Sequence, residues 1–395
     1  MEEEIKIYLY SFLVNLLLFL AFSFFYFDYS SSMAVSSIAI CLMIIIYRMF
    51  LLHNLQNRKF INTGVFIFIF IFTHFIVASF FWDVDFYKFF YSIFFVPVML
   101  YAGLCLSEIF IFLRPRNLDV LIYSIYYYMN IIGFIAISKF PLFRTDVLFK
   151  SIFPFTEPSH FALIYTPFLM YVCASSLKIS NKVLNLIVGV TLALVIENLT
   201  LIIGCSLVAI ACLPKKLVAL LILIAIAFLA YIQPSYYLDR LNFSTGDMSL
   251  SSLVYVQGWE LMYDSLEKTN LWGLGFQNLG LRDPGLDSSS LIYKIAGSHL
   301  NLYDGSFTLS KIVSEFGIFG IIFFIFLIKN YYISYVSLRK LLLSNNKCHY
   351  MIFAHCCILG SCLELLFRGL GYFTFTSLLL ISALITSCNF KNNPS

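Results

Sequence analysis

Apolar runs of about 20 residues alternate with short polar breaks along almost the whole chain, the spacing that a bilayer-crossing helix demands. No water reaches the backbone inside hydrocarbon, so each run has to close its own hydrogen bonds as a helix. Spans are predicted near 5–27, 33–52, 60–81, 89–112, 118–138 and 161–177 in the first half. The second half gives 183–197, 199–213, 217–233, 311–329, 348–367 and 371–388, the pair around Glu197-Asn198 being unusually short. The expected fold is an all-α polytopic integral membrane protein, one membrane domain over 1–395 with about 12 transmembrane helices.

Composition agrees: 61% hydrophobic against 12% charged residues, with a mean hydropathy of +0.90, excludes a water-soluble fold. The start, Met1-Glu2-Glu3-Glu4, is too acidic for a signal-peptide n-region, so the run at 5–27 is read as a retained span. All ten cysteines, from Cys41 to Cys388, fall in apolar runs or at their ends. They lack metal-ligand or disulfide spacing and read as packing residues.

Orientation follows from the short loops that hold basic residues, because Lys and Arg resist translocation and acidic residues hardly matter. Arg48, Arg58 and Lys59, then Arg114 and Arg116, Lys178 and Lys182, Lys215 and Lys216, and Lys329, Arg339, Lys340 and Lys347 share one side. That side is read as cytoplasmic, with both termini on it. The opposite side carries Lys88, Arg368 and two longer segments: a loop at 139–160 and a long extracytoplasmic loop at 234–310 with an amphipathic helix within it. The net charge of +4 is thus a topology signal. No basic stripe with interleaved aromatics marks a nucleic-acid partner. Within the spans, Glu108, Glu197 and Glu364 are the main ionisable residues, and all three are placed near span ends, within snorkelling reach of the interface.

Four features carry candidate chemistry. In Phe155-Thr156-Glu157-Pro158-Ser159-His160 a carboxylate precedes a proline that opens a helix. Glu157 at a helix mouth stays ionised, as a base or as an acceptor for a sugar hydroxyl; the alternative is an ordinary N-terminal cap. The outer loop holds an interfacial helix around Trp259 and then Gly273-Leu274-Gly275-Phe276-Gln277-Asn278-Leu279-Gly280, whose glycines permit close backbone approach. Neither the P-loop nor the dinucleotide spacing is present, and a tight turn is the alternative. His299, in Gly297-Ser298-His299-Leu300-Asn301, is a candidate proton acceptor, with Glu315-Phe316-Gly317 following as the next span begins. Arg240, Arg282 and Arg368 invite a dianionic partner, since guanidinium groups grip phosphate oxygens in bidentate fashion; the alternative is snorkelling to lipid headgroups.

Together, Glu157-Pro158-Ser159 at a span mouth, the stretch from Tyr255 through Gly258 and Glu260 to Gly273-Leu274-Gly275-Phe276, His299-Leu300-Asn301 and Glu315-Phe316-Gly317 resemble the Wzy O-antigen polymerases. Those enzymes share a membrane glycosyltransferase superfamily with the O-antigen ligases. The resemblance implies polymerisation of undecaprenyl-pyrophosphate-linked oligosaccharide repeat units at the periplasmic face of a bacterial inner membrane, by inverting glycosyl transfer. It implies catalytic roles for His299 and Glu157, pyrophosphate contacts from Arg240, Arg282 and Arg368, and neither a metal nor a cofactor. Implied partners are the lipid-linked oligosaccharides, membrane lipid, and a chain-length regulator and flippase of the same pathway. One departure is that many members carry a further arginine before the position of Trp259, where this chain reads Ser251-Ser252-Leu253-Val254-Tyr255. The alternative within the superfamily is a ligase that moves finished polymer to a lipid A core. A flippase or other transporter calls for an internal repeat and charges deep in the spans, and neither is evident. A non-enzymatic partner in polysaccharide export is the third alternative.

Overall fold

The computed structural model describes residues 2–26, 33–51, 58–137, 152–232, 235–242, 248–281, 285–344 and 348–392. The apolar runs fold as helices, and no strand forms among the described residues. The first half contains α1 (Glu2–Tyr26), α2 (Met33–Leu51), α3 (Arg58–Ser79), α4 (Phe86–Ile93), α5 (Phe95–Phe112), α6 (Pro115–Ile137), α7 (Pro158–Ser175) and α8 (Ile179–Val195). There follow α9 (Leu199–Cys212), α10 (Lys215–Ile232), α11 (Ser235–Leu241), α12 (Leu250–Lys268), α13 (Asp287–Ala296) and α14 (Thr308–Phe316). The last four are α15 (Ile318–Leu343), α16 (His349–Gly360), α17 (Cys362–Leu366) and α18 (Phe375–Asn392).

Among the described residues five helical stretches are long and apolar enough to cross a membrane: Phe60–Ser79, Phe86–Phe112, Pro115–Ile137, Ile318–Leu343 and His349–Leu366. Shorter apolar helices, Ser11–Ser23, Ala34–Met49, Ile179–Val195, Leu199–Cys212 and Phe375–Cys388, pack beside them. The chain is a helical membrane protein.

Helix α7 is the axis of the bundle. Every residue from His160 to Ala174 is buried, which is how a helix that is apolar all round must sit. It packs against α6, α8, α9 and α16, and α16 in turn packs against α18, which covers α5. Close approach depends on small residues, as it does wherever lipid supplies no hydrophobic drive between helices. A methyl group on Gly360 would lie 2.7 Å from the Pro167 ring, and one on Gly189 would lie 2.9 Å from Leu169. Polar pins fix the register: the Tyr165 hydroxyl donates to Asn130 at 2.9 Å, and the Ser107 and Thr386 hydroxyls meet at 2.8 Å.

The turn between the short helices α8 and α9 holds the mouth of α7. Asn198 accepts from the Leu201 amide at 3.2 Å, capping α9, and its side-chain amide donates to the Pro158 carbonyl. Glu197, one residue earlier, takes a left-handed φ of 56°.

Two expectations about charges in the spans are corrected by the packing. Glu108 does not need to snorkel, because the Arg48 guanidinium of α2 donates to it at 2.9 Å across the α2–α5 interface. Glu364 is buried and accepts hydrogen bonds from the hydroxyls of Thr374, at 3.1 Å, and Thr376. Span boundaries also shift. The predicted span at 311–329 is divided at Gly317, so that Lys311 and Glu315 belong to the separate helix α14, and α15 runs on from Ile318 to Leu343. Gly317 has φ 55°, and a Cβ there would lie 2.0 Å from the Leu271 carbonyl oxygen. The break therefore comes from backbone meeting backbone, where the Ile318 amide donates to Leu271 at 2.8 Å.

Gly317→Ala should accordingly destabilise the protein by at least about 3 kcal/mol, from a disfavoured φ and a clash with no flexible side chain to yield. Thermal melting of the detergent-solubilised protein reads this; a variant that melts with wild type would mean the α14–α15 joint is free to move.

Candidate functional site

The functional candidates converge where α7 begins. Glu157 occupies the cap position with extended φ −133° and ψ 147°, and Pro158 follows as the first helical residue, where its missing N–H costs nothing. Its side chain does not cap the helix. One carboxylate oxygen instead accepts from Arg368 at 2.6 Å and from the Ser159 hydroxyl at 3.1 Å. The carboxylate is 49% exposed and the arginine 16% exposed, so the pair opens on one side.

The Arg368 turn is gripped by its backbone. The Arg368 amide donates to the Leu363 carbonyl at 3.1 Å, and the next amide, Gly369, donates to the Ser306 carbonyl at 2.9 Å. The residues before α14 thereby hold the turn after α17.

His160 completes the group. Three residues after Glu157 on a helix start, it lies on the same side; its Nε2 is 3.9 Å from the carboxylate and its Nδ1 is 3.1 Å from the Thr156 hydroxyl. Burial pushes its pKa from 6.5 down to about 4, Glu157 opposing and Arg368 adding to the effect, so the imidazole is neutral at neutral pH. Burial alone would raise the Glu157 pKa, but the Arg368 charge and the hydrogen bonds from Ser159 and Arg368 hold it below the usual carboxylate value. Glu157 is ionised.

A second charged group adjoins the first. Lys311 of α14 is buried, donates to the Tyr303 carbonyl, and lies 3.6 Å from Glu315 and 3.8 Å from Asp304. Asp304 also acts electrostatically on His160, linking the two groups. The Lys88 ammonium stands 4.8 Å from the centre of the Tyr303 ring. Glu315 is engaged on its other side, where it accepts from the Gln277 amide at 2.8 Å, the Leu279 amide at 3.4 Å and the Tyr372 hydroxyl at 2.7 Å. Amides of Leu274 and Gly275 donate to the carbonyls of Ser314 and Glu315, both at 2.9 Å. The close backbone approach that the glycine run permits is to α14 of the same chain.

Of the residues singled out from sequence, Glu157 and Arg368 are brought together. His299 is exposed beyond the end of α13 with its ring 4.9 Å from that of Tyr293, and no described hydrogen bond or ion pair joins it to Glu157 or Arg368. Arg240, on α11, covers the Tyr236 ring at 4.4 Å. Arg282 lies outside the described residues. Sequence reasoning assigned no role to His160, Asp304 or Lys311, although the i, i+3 spacing of Glu157 and His160 at a proline-opened helix signals a shared face.

Comparison with known protein families, with curated proteins and with solved structures gives no match. The chemistry of the site rests on its own geometry: an ionised, half-open carboxylate beside a guanidinium and a buried neutral imidazole.

The low pKa of His160 has a measurable consequence. Between pH 6.5 and about 4 the folded protein binds fewer protons at this group than the unfolded chain, so stability should fall as pH drops through that window. Glu157 contributes in the same direction only below the usual carboxylate range, weakly because it is exposed. Melting temperatures of the detergent-solubilised protein from pH 7 to 4 should decline less steeply in His160→Gln than in His299→Gln. Equal slopes would show that His160 is not held neutral.

Proposed function

We propose that the protein is a membrane glycosyltransferase that joins oligosaccharide repeat units carried on undecaprenyl pyrophosphate, a polysaccharide polymerase of the Wzy type. The observation that carries this reading is the Glu157–Arg368 pair at the enclosed mouth of α7, with His160 behind it. A transferase of this kind needs a base for one hydroxyl and a cation for one leaving phosphate, both within reach of one sugar ring at the end of a membrane bundle. The resemblance in motif order, from Glu157-Pro158-Ser159 to Glu315-Phe316-Gly317, supports the same reading. On the charge bias of the loops, this end of the bundle faces the periplasm and both termini the cytoplasm of the inner membrane.

In the proposed reaction a hydroxyl oxygen of the acceptor repeat unit bonds to the anomeric carbon of the donor. The bond from that carbon to the pyrophosphate oxygen breaks, the electron pair leaves with pyrophosphate, and single displacement inverts the anomeric centre. Glu157 takes the hydroxyl proton as the bond forms. A carboxylate of lowered pKa suits a late transfer, when the attacking oxygen has become acidic. Arg368 meets the growing negative charge of the pyrophosphate from a turn already held by main-chain hydrogen bonds, so little backbone reorganisation is required. His160 stays neutral behind the pair, its Nε2 3.9 Å from the Glu157 carboxylate. Of Arg240 and Arg368, the latter has the surroundings that favour this role, and His299 is the alternative proton acceptor.

In a strain lacking the gene, single repeat units should replace the polymer ladder of surface polysaccharide. Complementation with Glu157→Gln or Arg368→Ala should leave polymer about a hundredfold below wild type at equal membrane levels. His299→Ala compared with Glu157→Gln decides which group takes the proton. Long polymer accumulating on the carrier lipid in the deletion strain would instead identify a ligase, and a full ladder there would sink the transferase assignment.

A further inference from the structure

Helix α12 carries a stripe of aromatic side chains that the proposed reaction does not use. Tyr255, Trp259 and Tyr263 recur every four residues, so they lie along one side of the helix, about 6 Å apart on its axis. Trp259 is 41% exposed and Tyr263 69% exposed, while Tyr255 is half-buried. Other faces of α12 are buried: Leu253 and Val254 pack with Ile292 of α13, and the Ser265 hydroxyl donates to the Ser314 carbonyl of α14 at 2.5 Å.

The stripe begins beside the charged pair. The Phe307 ring, fully buried, lies 5.3 Å from the Tyr255 ring and 5.1 Å from the Trp259 ring. Phe307 belongs to the segment that holds the Arg368 turn, since its neighbour Ser306 accepts from the Gly369 amide at 2.9 Å. Room for the ring comes from Gly258, where a Cβ would lie 2.5 Å from Phe307. Tyr255 also meets Trp259 edge-on, at 6.3 Å and 77°. Trp259 is thus braced by two rings while part of its own surface stays open, and Tyr263 follows one turn further along α12.

The company the stripe keeps decides what it suits. The faces that this chain turns to lipid are aliphatic and phenylalanine-rich, as on α15, which exposes Ile318, Ile322, Ile325 and Phe326. Helix α12 is not among the helices apolar enough to cross a membrane, and it exposes no large aliphatic side chain. Glu267 continues the stripe by one more turn, and Glu260 and Asp264 adjoin it. Open aromatic rings flanked by carboxylates match a pyranose, which has an apolar face of C–H groups to lay on a ring and a rim of hydroxyls to donate to carboxylates. The spacing of the rings is close to the length of one sugar unit in a chain.

We infer that Tyr255, Trp259 and Tyr263 form a saccharide-binding track that holds successive sugar units of one chain beside the Glu157–Arg368 pair. The inference rests on the transferase reading for the identity of the saccharide, and on the stripe for its place. Trp259, braced and half-open, is the central platform; Tyr263 extends the grip to a longer chain.

The test is calorimetric binding, to the purified full chain in nanodiscs, of lipid-free fragments released by mild acid from the surface polysaccharide of the wild-type strain. Fragments of several repeat units should bind wild type more tightly than single units, because they reach more rings. Tyr263→Ala removes a mostly exposed ring and should leave the fold intact while weakening the long fragments about tenfold; Trp259→Ala should weaken long and short fragments alike. Tyr87→Ala, at a 91% exposed ring on α4, should weaken neither. No binding by wild type, unchanged affinity in both α12 variants, or an equal loss in Tyr87→Ala would overturn the track. So would a bilayer position for Trp259, read as a fall in the fraction of emission quenched by brominated phospholipid when Trp259→Phe replaces wild type. A full polymer ladder in the deletion strain would remove the transferase reading, whereas absent binding beside a ladder that needs the gene would remove the track alone.

Discussion

Helix α7 has no face left over for lipid or water, and much of the molecule follows from enclosing it. A helix buried on every side must receive neighbours on every side, which accounts for the ring formed by α6, α8, α9 and α16 and for the glycines that let α8 and α16 come close. It must also end somewhere, and its first N–H groups cannot be left bare inside protein. Pro158 removes one of them, and the Asn198 side chain steadies the carbonyl next door. What remains is a helix start with positive potential, shielded from lipid, and there Glu157, His160 and Arg368 meet.

The charges at this end are arranged so that each carboxylate has a cation within reach, while the two groups serve different ends. Glu315, fully enclosed, is spent on the amides of Gln277 and Leu279 and on Tyr372, and so holds the glycine run against α14. Glu157 is half open and has Arg368 as its main partner. Enclosure turns one carboxylate into a structural staple; the open side of the other leaves it available. Asp304 stands 3.8 Å from Lys311 and opposes the fall in the His160 pKa.

Much of this was legible in the chain. Apolar run lengths announced helices in a membrane, and a proline directly after an acidic residue announced a helix mouth at Glu157. The partner of Glu157 was not legible, because Arg368 is 211 positions away and no local period connects them. The division at Gly317 was hidden for a different reason: apolar residues continue on both sides of it, so hydropathy reads one span where a positive φ makes two helices. His299 was singled out as a lone histidine in the outer loop, and its imidazole lies against the Tyr293 ring at the end of α13. The glycine run correctly signalled close approach. Nothing local revealed that the object approached was the chain's own backbone.

The opposite end of α7 carries a tie of its own. There the Tyr171 hydroxyl donates to Asp119 of α6, and His349, the first residue of α16, places Nδ1 2.8 Å from that carboxylate and 3.2 Å from the hydroxyl. α7 and the α16–α17 segment are thus fastened at both ends, by His349 at one and by Arg368 at the other, over a helix about 27 Å long. Two members pinned at both ends behave as a braced strut, since sliding one past the other would break both fastenings together. The helices outside the brace include α3 and α15, whose outward faces are largely unburied and which neither fastening holds.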